Sequence, residues 1–455
     1  MDIKNKVLNY INNKNLISFG DSLICAVSGG ADSVCMLDIL MSLKDEFSLT
    51  IYVAHLNHGL RGKEADNDES FVKDLSNKYS LPFYSKKINV KELSKKLKVS
   101  CEEAGRIARY EFFDELKKKL NVKKVSTAHN KNDNVETVLM RILRGTDLKG
   151  LSGISSINEN DVIRPILCLS RNEIEEYLSC KGIDFVTDST NFENDFTRNK
   201  IRNVLIPEII SDYNEGFIDT FSVNIELFAE ANDFFDKYTE STFSTLVTNE
   251  NYGAKIDTSL LLKEDKYIAK RIIKKAVFSV ADLNITNNLC NIIYDSLTSD
   301  NVITVSENLV IYIKYGNIYF VRKKTHKFFL YHFTDYGTYK IPEIDSSLDI
   351  SVFLGTPDYS DKNTIYLPFD ETNCDFTLRS RKNGDRMHLL KCGTKKISDI
   401  LTDEKIPVFL RDDIPVLEYN KEIIWLCGVR DSFSLHKKIN SKYIKISLHK
   451  ENNNA

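Results

Sequence analysis

The chain has 455 residues, 42% of them hydrophobic and 28% charged, a globular composition too long for one ordinary core. Its 62 lysines and arginines against 65 acids leave a net charge of −3, which excludes global basicity and confines any nucleic-acid contact to local patches. With 18 glycines and 8 prolines it is neither collagen-like nor linker-rich. From the N-terminus, apolar runs predict strands over 23–27, 49–55, 82–88, 124–128 and 162–167, with helical stretches over 31–43, 66–79, 102–120, 133–144 and 171–180 between them. Strand–helix alternation of this kind predicts an α/β domain over 1–210, a doubly wound parallel sheet with ligands beyond the carboxyl ends of its strands.

The first strand runs into Ser28-Gly29-Gly30-Ala31-Asp32-Ser33. A glycine turn between a strand and a helix aims unpaired backbone N–H groups at one point, at the positive end of the helix dipole. The turn is either an anion cradle or an ordinary strand-to-helix connection. Neither G-x-x-x-x-G-K-[ST] nor G-x-G-x-x-G is present, so Walker-type and dinucleotide loops are excluded. Asp32 is either a magnesium partner beside phosphates or a helix-start acid.

His55, His58 and Arg61 follow the second strand, and their spacing makes a weak metal case, so nucleotide contact or loop scaffolding is the better reading. In the 102–120 helix, Arg106 and Arg109 flank a buried stripe of Ala104, Ile107, Ala108 and Phe112. Arg109 is the better site candidate, and a surface ion pair is its alternative. The next helix opens with Asp133 and Glu136 one turn apart, as a capping box or a catalytic carboxylate pair. Asp188 to Asn191 then lead to Arg198, Lys200 and Arg202, a local patch for phosphate or solvent.

From 211 to 340 the chain reads as mostly helical, with β-rich runs over 302–305, 309–313 and 318–321, and 339–363 reads as a linker. A small β-containing domain follows over 364–450, with core strands over 376–379, 423–427 and 443–448. Within it Arg379, Arg381, Lys382, Arg386, Lys391, Lys395 and Lys396 stand against one acid, Asp385; such a run is either a solvated face or a phosphate-backbone contact, and its concentration beside the Gly384 and Gly393 turns favours the contact. Nine scattered cysteines without a CxxC pair read as reduced thiols. With no apolar signal region and no run of about 18 apolar residues, a cytoplasmic location away from membranes is expected.

In order, SGGADS, HLNHGLR, EEAGRIARYEFF, TAHNKNDNVETVLMRILRGTDLKGLSGI, RPILCLSRNEIEEYL, STNFENDFTRNKIRNVLIP and the tail RSRKNGDRM resemble the tRNA(Ile)-lysidine synthetase family of N-type ATP pyrophosphatases. The resemblance spans about 20–210 and the tail domain, while the middle matches in position and size only. It implies ATP-dependent ligation of L-lysine onto the wobble cytidine of a CAU-anticodon tRNA(Ile), through an adenylated cytidine. By the same resemblance, Ser28, Gly29, Gly30, Ala31, Asp32, Ser33 and His55 would bind ATP with Mg2+ at Asp32. Arg109 would meet phosphate or the adenylated base, and Asp133 and Glu136 would orient the lysine ammonium or the metal. Arg198, Arg202, Arg379, Arg381, Arg386, Lys395 and Lys396 would contact tRNA, with the 211–340 region as a further tRNA-contacting domain, and the enzyme would be a homodimer. Asn132 departs from the family, which commonly has an acid there. A thiolating relative would want a cysteine pair, and a non-catalytic tRNA-binding module would have no use for SGGADS with Asp133 and Glu136.

Overall fold

The protein is described by a computed structural model over residues 2–59, 63–186, 197–324, 326–369, 375–389, 393–432 and 442–450. Arg61, the 188–191 segment and Lys391 lie outside the described residues. The chain forms two compact units, Met1–Tyr238 and Thr239–Ala455. Among the described residues no helix is long and apolar enough to cross a membrane.

The first unit is built on five parallel strands: β1 (Ser22–Ala26), β2 (Thr50–Asn57), β3 (Phe83–Lys87), β4 (Lys124–Ser126) and β5 (Val162–Ile163). Their order is β3-β2-β1-β4-β5. The chain therefore winds outward from β1 in one direction and then in the other. Alternation along β1 divides its side chains between two cores. Leu23 and Cys25 pack with helices α1 (Ile3–Asn13), α2 (Ala31–Ser42), α3 (Lys63–Lys78) and α6 (Arg171–Lys181). Ile24 faces the other way, onto Phe112, Phe113 and Leu116 of α4 (Cys101–Leu120). Burial on both faces explains why β1 reads as an uninterrupted apolar run.

Helix α4 starts where Ser100 Oγ accepts the Glu103 N–H at 3.1 Å and stops at Asn121, which takes the left-handed conformation (φ 53°). Helix α5 (Lys131–Arg144) buries Val135 and Val138 against Ile201, Ile206 and Ile225. The segment holding Ile201 begins as α-helix (Thr197–Lys200), widens to a π turn (Ile201–Leu205) and resumes as α-helix (Ile206–Asp212).

The middle region is helical over Phe217–Leu246, Lys266–Ala281 and Asn287–Asp295, as expected, and holds more strand than expected. Five antiparallel strands, Val247–Glu250, Gly253–Asp257, Asn317–Arg322, Leu309–Lys314 and Asn301–Thr304, form a sheet in that order. The helix Lys266–Ala281 buries Ile272, Ile273, Ala276 and Val277. The three β-rich runs are strands as expected, but Val247–Glu250 and Gly253–Asp257 accompany them. The expected linker is also sheet, because Gly337–Ile341 pairs with Ser346–Leu354, which pairs with Lys442–Lys450. This four-stranded sheet shares a core with a seven-stranded one through Leu348, Ile350 and Ile446 on one side and Leu378, Leu417 and Trp425 on the other. Strands before residue 364 therefore share the core of the C-terminal sheets.

Candidate active site

The turn after β1 is organised by one hydroxyl. Ser33 Oγ accepts the backbone N–H groups of Ser28 (3.1 Å) and Gly29 (3.2 Å) and donates to the Gly30 carbonyl (2.9 Å). The Ser28 hydroxyl lies 3.2 Å from it. Gly29 has φ +98°, a conformation that glycine adopts freely, and a Cβ there would meet Val72 at 3.4 Å. Gly30 is the N-cap of α2 and lends no side chain, so the first turn, Ala31 to Ser33, presents bare backbone. His55, 4% exposed at the end of β2, binds the Val27 carbonyl through Nδ1 at 2.9 Å. A carbonyl only accepts, so Nδ1 carries the proton. His55 thereby anchors the base of the turn.

Because strand order reverses at β1, the segment after β4 lies beside this turn, in the crevice where doubly wound sheets bind ligands. Asn130 connects the two. Its Oδ1 accepts the Asp133 N–H at 2.9 Å, and its own N–H donates to Asp133 Oδ2 at 3.1 Å, closing the capping box of α5. Its Nδ2 donates to Asp32 Oδ1 at 3.0 Å. Burial, then the Asp133 charge, pushes the Asp32 carboxyl above its usual range, against the pull of Asn130, Arg171 and Arg202. Asn132 Oδ1 accepts the Arg171 N–H at 3.0 Å and so ties α5 to the start of α6. At this position the side chain serves packing between helices.

Asp133 is the N3 acid of a capping box with Asn130, not with Glu136, and both acids belong to an ion-pair cluster. Arg198 reaches Glu136 Oε2 (2.8 Å) and Asp133 Oδ1 (2.9 Å). Arg202 reaches Glu136 Oε1 (2.6 Å) and Asp133 Oδ1 (3.0 Å). The Glu136 side chain is 1% exposed. Burial opposes the Arg202 charge, but the hydrogen bonds and charges of Glu136 and Asp133 outweigh it and raise its pKa. Arg198 and Arg202 are thus brought into the crevice and held by carboxylates more than sixty positions earlier in the chain.

A second set of arginines has no such partners. Among the described residues, Arg106, Arg109 and Arg164 form no ion pair with a carboxylate, and Arg109 is exposed without a hydrogen bond. Arg164, just beyond β5, is 7% exposed, donates through Nη1 to the Ser155 carbonyl (2.6 Å), and leaves Nε without a partner. Arg106 lies over the Tyr110 ring, 5.8 Å from its centroid. Between the two sets is His129, with Nδ1 3.1 Å from the Thr127 hydroxyl. Burial, then the charges of Arg164, Arg198, Arg109 and Arg106, push its pKa down to about 3, so the imidazole stays neutral.

In the second unit the basic run divides. Arg379, expected to contact tRNA, is 5% exposed and held between Asp385 (2.9 and 3.0 Å) and Glu418 (2.8 Å). Arg381 is paired with Asp412 and Lys395 with Asp403. Arg386 and Lys396 face each other across a hairpin, exposed and without an ion pair among the described residues.

The family comparison extends well beyond these clusters. A PP-loop domain matches residues 1–209, and a TilS substrate C-terminal domain matches residues 376–447. A tRNA(Ile)-lysidine synthase of Clostridium tetani is 38% identical over 476 aligned positions, covering 98% of this chain and 98% of its own. The chain belongs to the tRNA(Ile)-lysidine synthase family. A synthase of Caldanaerobacter subterraneus, 34% identical over 98% of this chain and 97% of its own, and one of Clostridium acetobutylicum, 34% identical over 98% and 99%, agree. As a synthase of this family the protein is an ATP-dependent ligase, and its PP-loop domain holds the Ser28–Ser33 turn. Sequence reasoning placed the turn, Asp32, Asp133 and Glu136, but missed Asn130, Arg164 and the carboxylates that hold Arg198 and Arg202. Those ion pairs join distant positions, so local charge counting had no signal for them.

Proposed function

We propose that this site adenylates the wobble cytidine of a CAU-anticodon tRNA(Ile) and then joins it to L-lysine. In the first step the cytosine O2 attacks the α-phosphorus of ATP as the bond to pyrophosphate breaks. In the second the lysine ε-amine, having lost a proton, forms a bond to C2 and AMP leaves with the oxygen. The α2 N-terminus, Gly29, Gly30 and the two serine hydroxyls bind and orient the β,γ-phosphates. The phosphate oxygens displace the Ser33 hydroxyl from the Ser28 and Gly29 N–H groups.

Asp32 suits Mg2+: it is a buried carboxylate hydrogen-bonded to a neutral amide, and burial, then the Asp133 charge, raise its pKa, both of which a cation would offset. Bound there, the ion would offset phosphate charge. Arg198 and Arg202, oriented by Asp133 and Glu136, stabilise charge at the α-phosphate. A lysine ammonium that engages Glu136 must take the place of one arginine, which couples amine entry to arginine release. Arg109 meets the phosphate or the adenylated base, and Arg386 and Lys396 take RNA backbone. The family resemblance extends the reading to a homodimer.

The observation that carries this reading is the Asn130 link, which joins the PP-loop acid to the helix bearing both other carboxylates. A thiolation reading finds no support: Cys25 and Cys35 are buried and pushed up to about 12, far from a reactive thiolate. Incubation with ATP, labelled lysine and a CAU-anticodon transcript should put label into the RNA, with AMP release dependent on lysine. Unlabelled RNA with lysine-independent AMP release would refute the assignment.

A further inference from the structure

Arg164 is a buried cation without a carboxylate. A guanidinium removed from water is costly unless an anion or a full set of acceptors compensates it. Here the contacts are the Ser155 carbonyl at 2.6 Å and the Val162 carbonyl at 3.5 Å, with Nε unpartnered. The Tyr110 phenol also bears on it. The ring of the same tyrosine carries Arg106. Tyr110 thus stands between a buried guanidinium and an exposed one. Both charges act on His129, which is neutral and adds no compensation.

Arg164 follows β5 and His129 follows β4, while Arg106 and Tyr110 lie on α4, and Tyr110 brings them to Arg164. In the order β3-β2-β1-β4-β5, two strand spacings, about 10 Å, separate β5 from the PP-loop strand. The ATP pyrophosphate is accounted for at β1, so the uncompensated cations face a different phosphate. We propose that Arg106, backed by Tyr110 and Arg164, forms a second phosphate site that receives the RNA backbone beside the reacting nucleotide. Arg106 makes the contact. Arg164 is a positioning residue that acts through Tyr110. A phosphate of the nucleotide has the same chemistry and is distinguished by the test. The inference rests on the RNA-modifying reading above.

The test uses the full chain with a CAU-anticodon transcript. Arg106→Ala should lower the slope of log Kd against log salt by about 0.7, the share of one single-strand phosphate, and leave the KM for ATP unchanged. Arg164→Met should raise the KM for tRNA about ten-fold, again with the KM for ATP unchanged. Arg164→Lys, which keeps the charge, should recover part of that loss, and Tyr110→Phe should reproduce part of it. A raised KM for ATP with an unchanged salt slope would assign the site to the nucleotide and overturn the proposal. Parallel losses in both KM values and in Tm for Arg164→Met would show a purely structural arginine and also overturn it. Failure of the underlying function would instead appear as no lysine incorporation by the unsubstituted protein.

Discussion

Two clusters in this protein pair arginines with two carboxylates, and they do different work. In the first unit Arg198 and Arg202 meet Asp133 and Glu136. In the second, Arg379 alone spans Asp385 and Glu418. The second is a stoichiometric brace: one cation and two anions, with Arg379 and Glu418 on neighbouring strands of a sheet. The first lies in the crevice at the strand-order reversal, one amide away from Asp32 and near three arginines that form no ion pair with a carboxylate among the described residues. What distinguishes them is the surroundings, because neither the residue types nor the bond lengths differ. A buried ion pair is weak evidence of function by itself. Its position at a ligand crevice supplies the rest.

The comparison is tested most strongly at its two glutamates. Glu136→Gln should cut lysidine formation by about 10³-fold, since it releases both arginines from their orientation. Glu418→Gln should leave kcat within about two-fold but cost about 2 kcal/mol by denaturant unfolding, less than a fully buried pair because this side chain is 25% exposed. Equal losses of kcat in the two variants would erase the distinction.

The two aspartates should respond to pH with opposite signs. Asp32 has a raised pKa in the folded protein, so the folded state holds its proton more tightly. Its contribution to stability falls as pH rises from the ordinary carboxylate value, about 3.9, through the raised one. At neutral pH Asp32→Asn should therefore stabilise the first unit while abolishing turnover. Burial opposes the Asp385 charge, but its bonds to Arg379 and the Lys382 N–H prevail and hold its pKa down. Its stabilising contribution is full above the ordinary value and lost as pH falls through the depressed one, so Asp385→Asn should destabilise at neutral pH and flatten the acid side of the unfolding profile. Thermal scans of both variants from pH 3 to 8 read the two signs directly.

Smaller effects follow at the edges of each cluster. Asn130→Ala removes an N-cap, costing about 1 kcal/mol, and frees Asp32, for a roughly ten-fold loss in kcat with tRNA affinity retained. Arg386→Ala should reduce the salt slope of tRNA binding by about one and leave Tm unchanged or slightly higher, because Arg386 and Lys396 are like charges directly opposite across the hairpin. A fall in Tm would make Arg386 a second brace.

The same contrast explains what could be read from the chain. The first unit was legible because its central strand β1 is buried on both faces and its helices carry their own signals, as with Ser100 before α4 and Gly145 after α5. Val247–Glu250 and Gly253–Asp257 were missed because VTNE and GAKID are short and largely polar. The strand Ser346–Leu354 was mistaken for a linker because its first inward-facing residue is a serine, ahead of Leu348 and Ile350. In the site, Asp32, Asp133 and Glu136 were visible through their places at helix starts. The Arg379–Glu418 pair was not legible because the two lie 39 positions apart, and a count of charges within one segment cannot find it.

The π turn over Ile201–Leu205 makes the arginine pair sensitive to chain length as well as to chemistry. Such a turn holds one residue more than the α-helix around it. Deleting the exposed Val204 would close it into ordinary helix with every charged group retained. The angle between Arg202 and the buried Ile206 would then change, by up to one residue's rotation of about 100°. Insertion and deletion at this point are thus a route by which the crevice can be retuned while its polar residues stay the same.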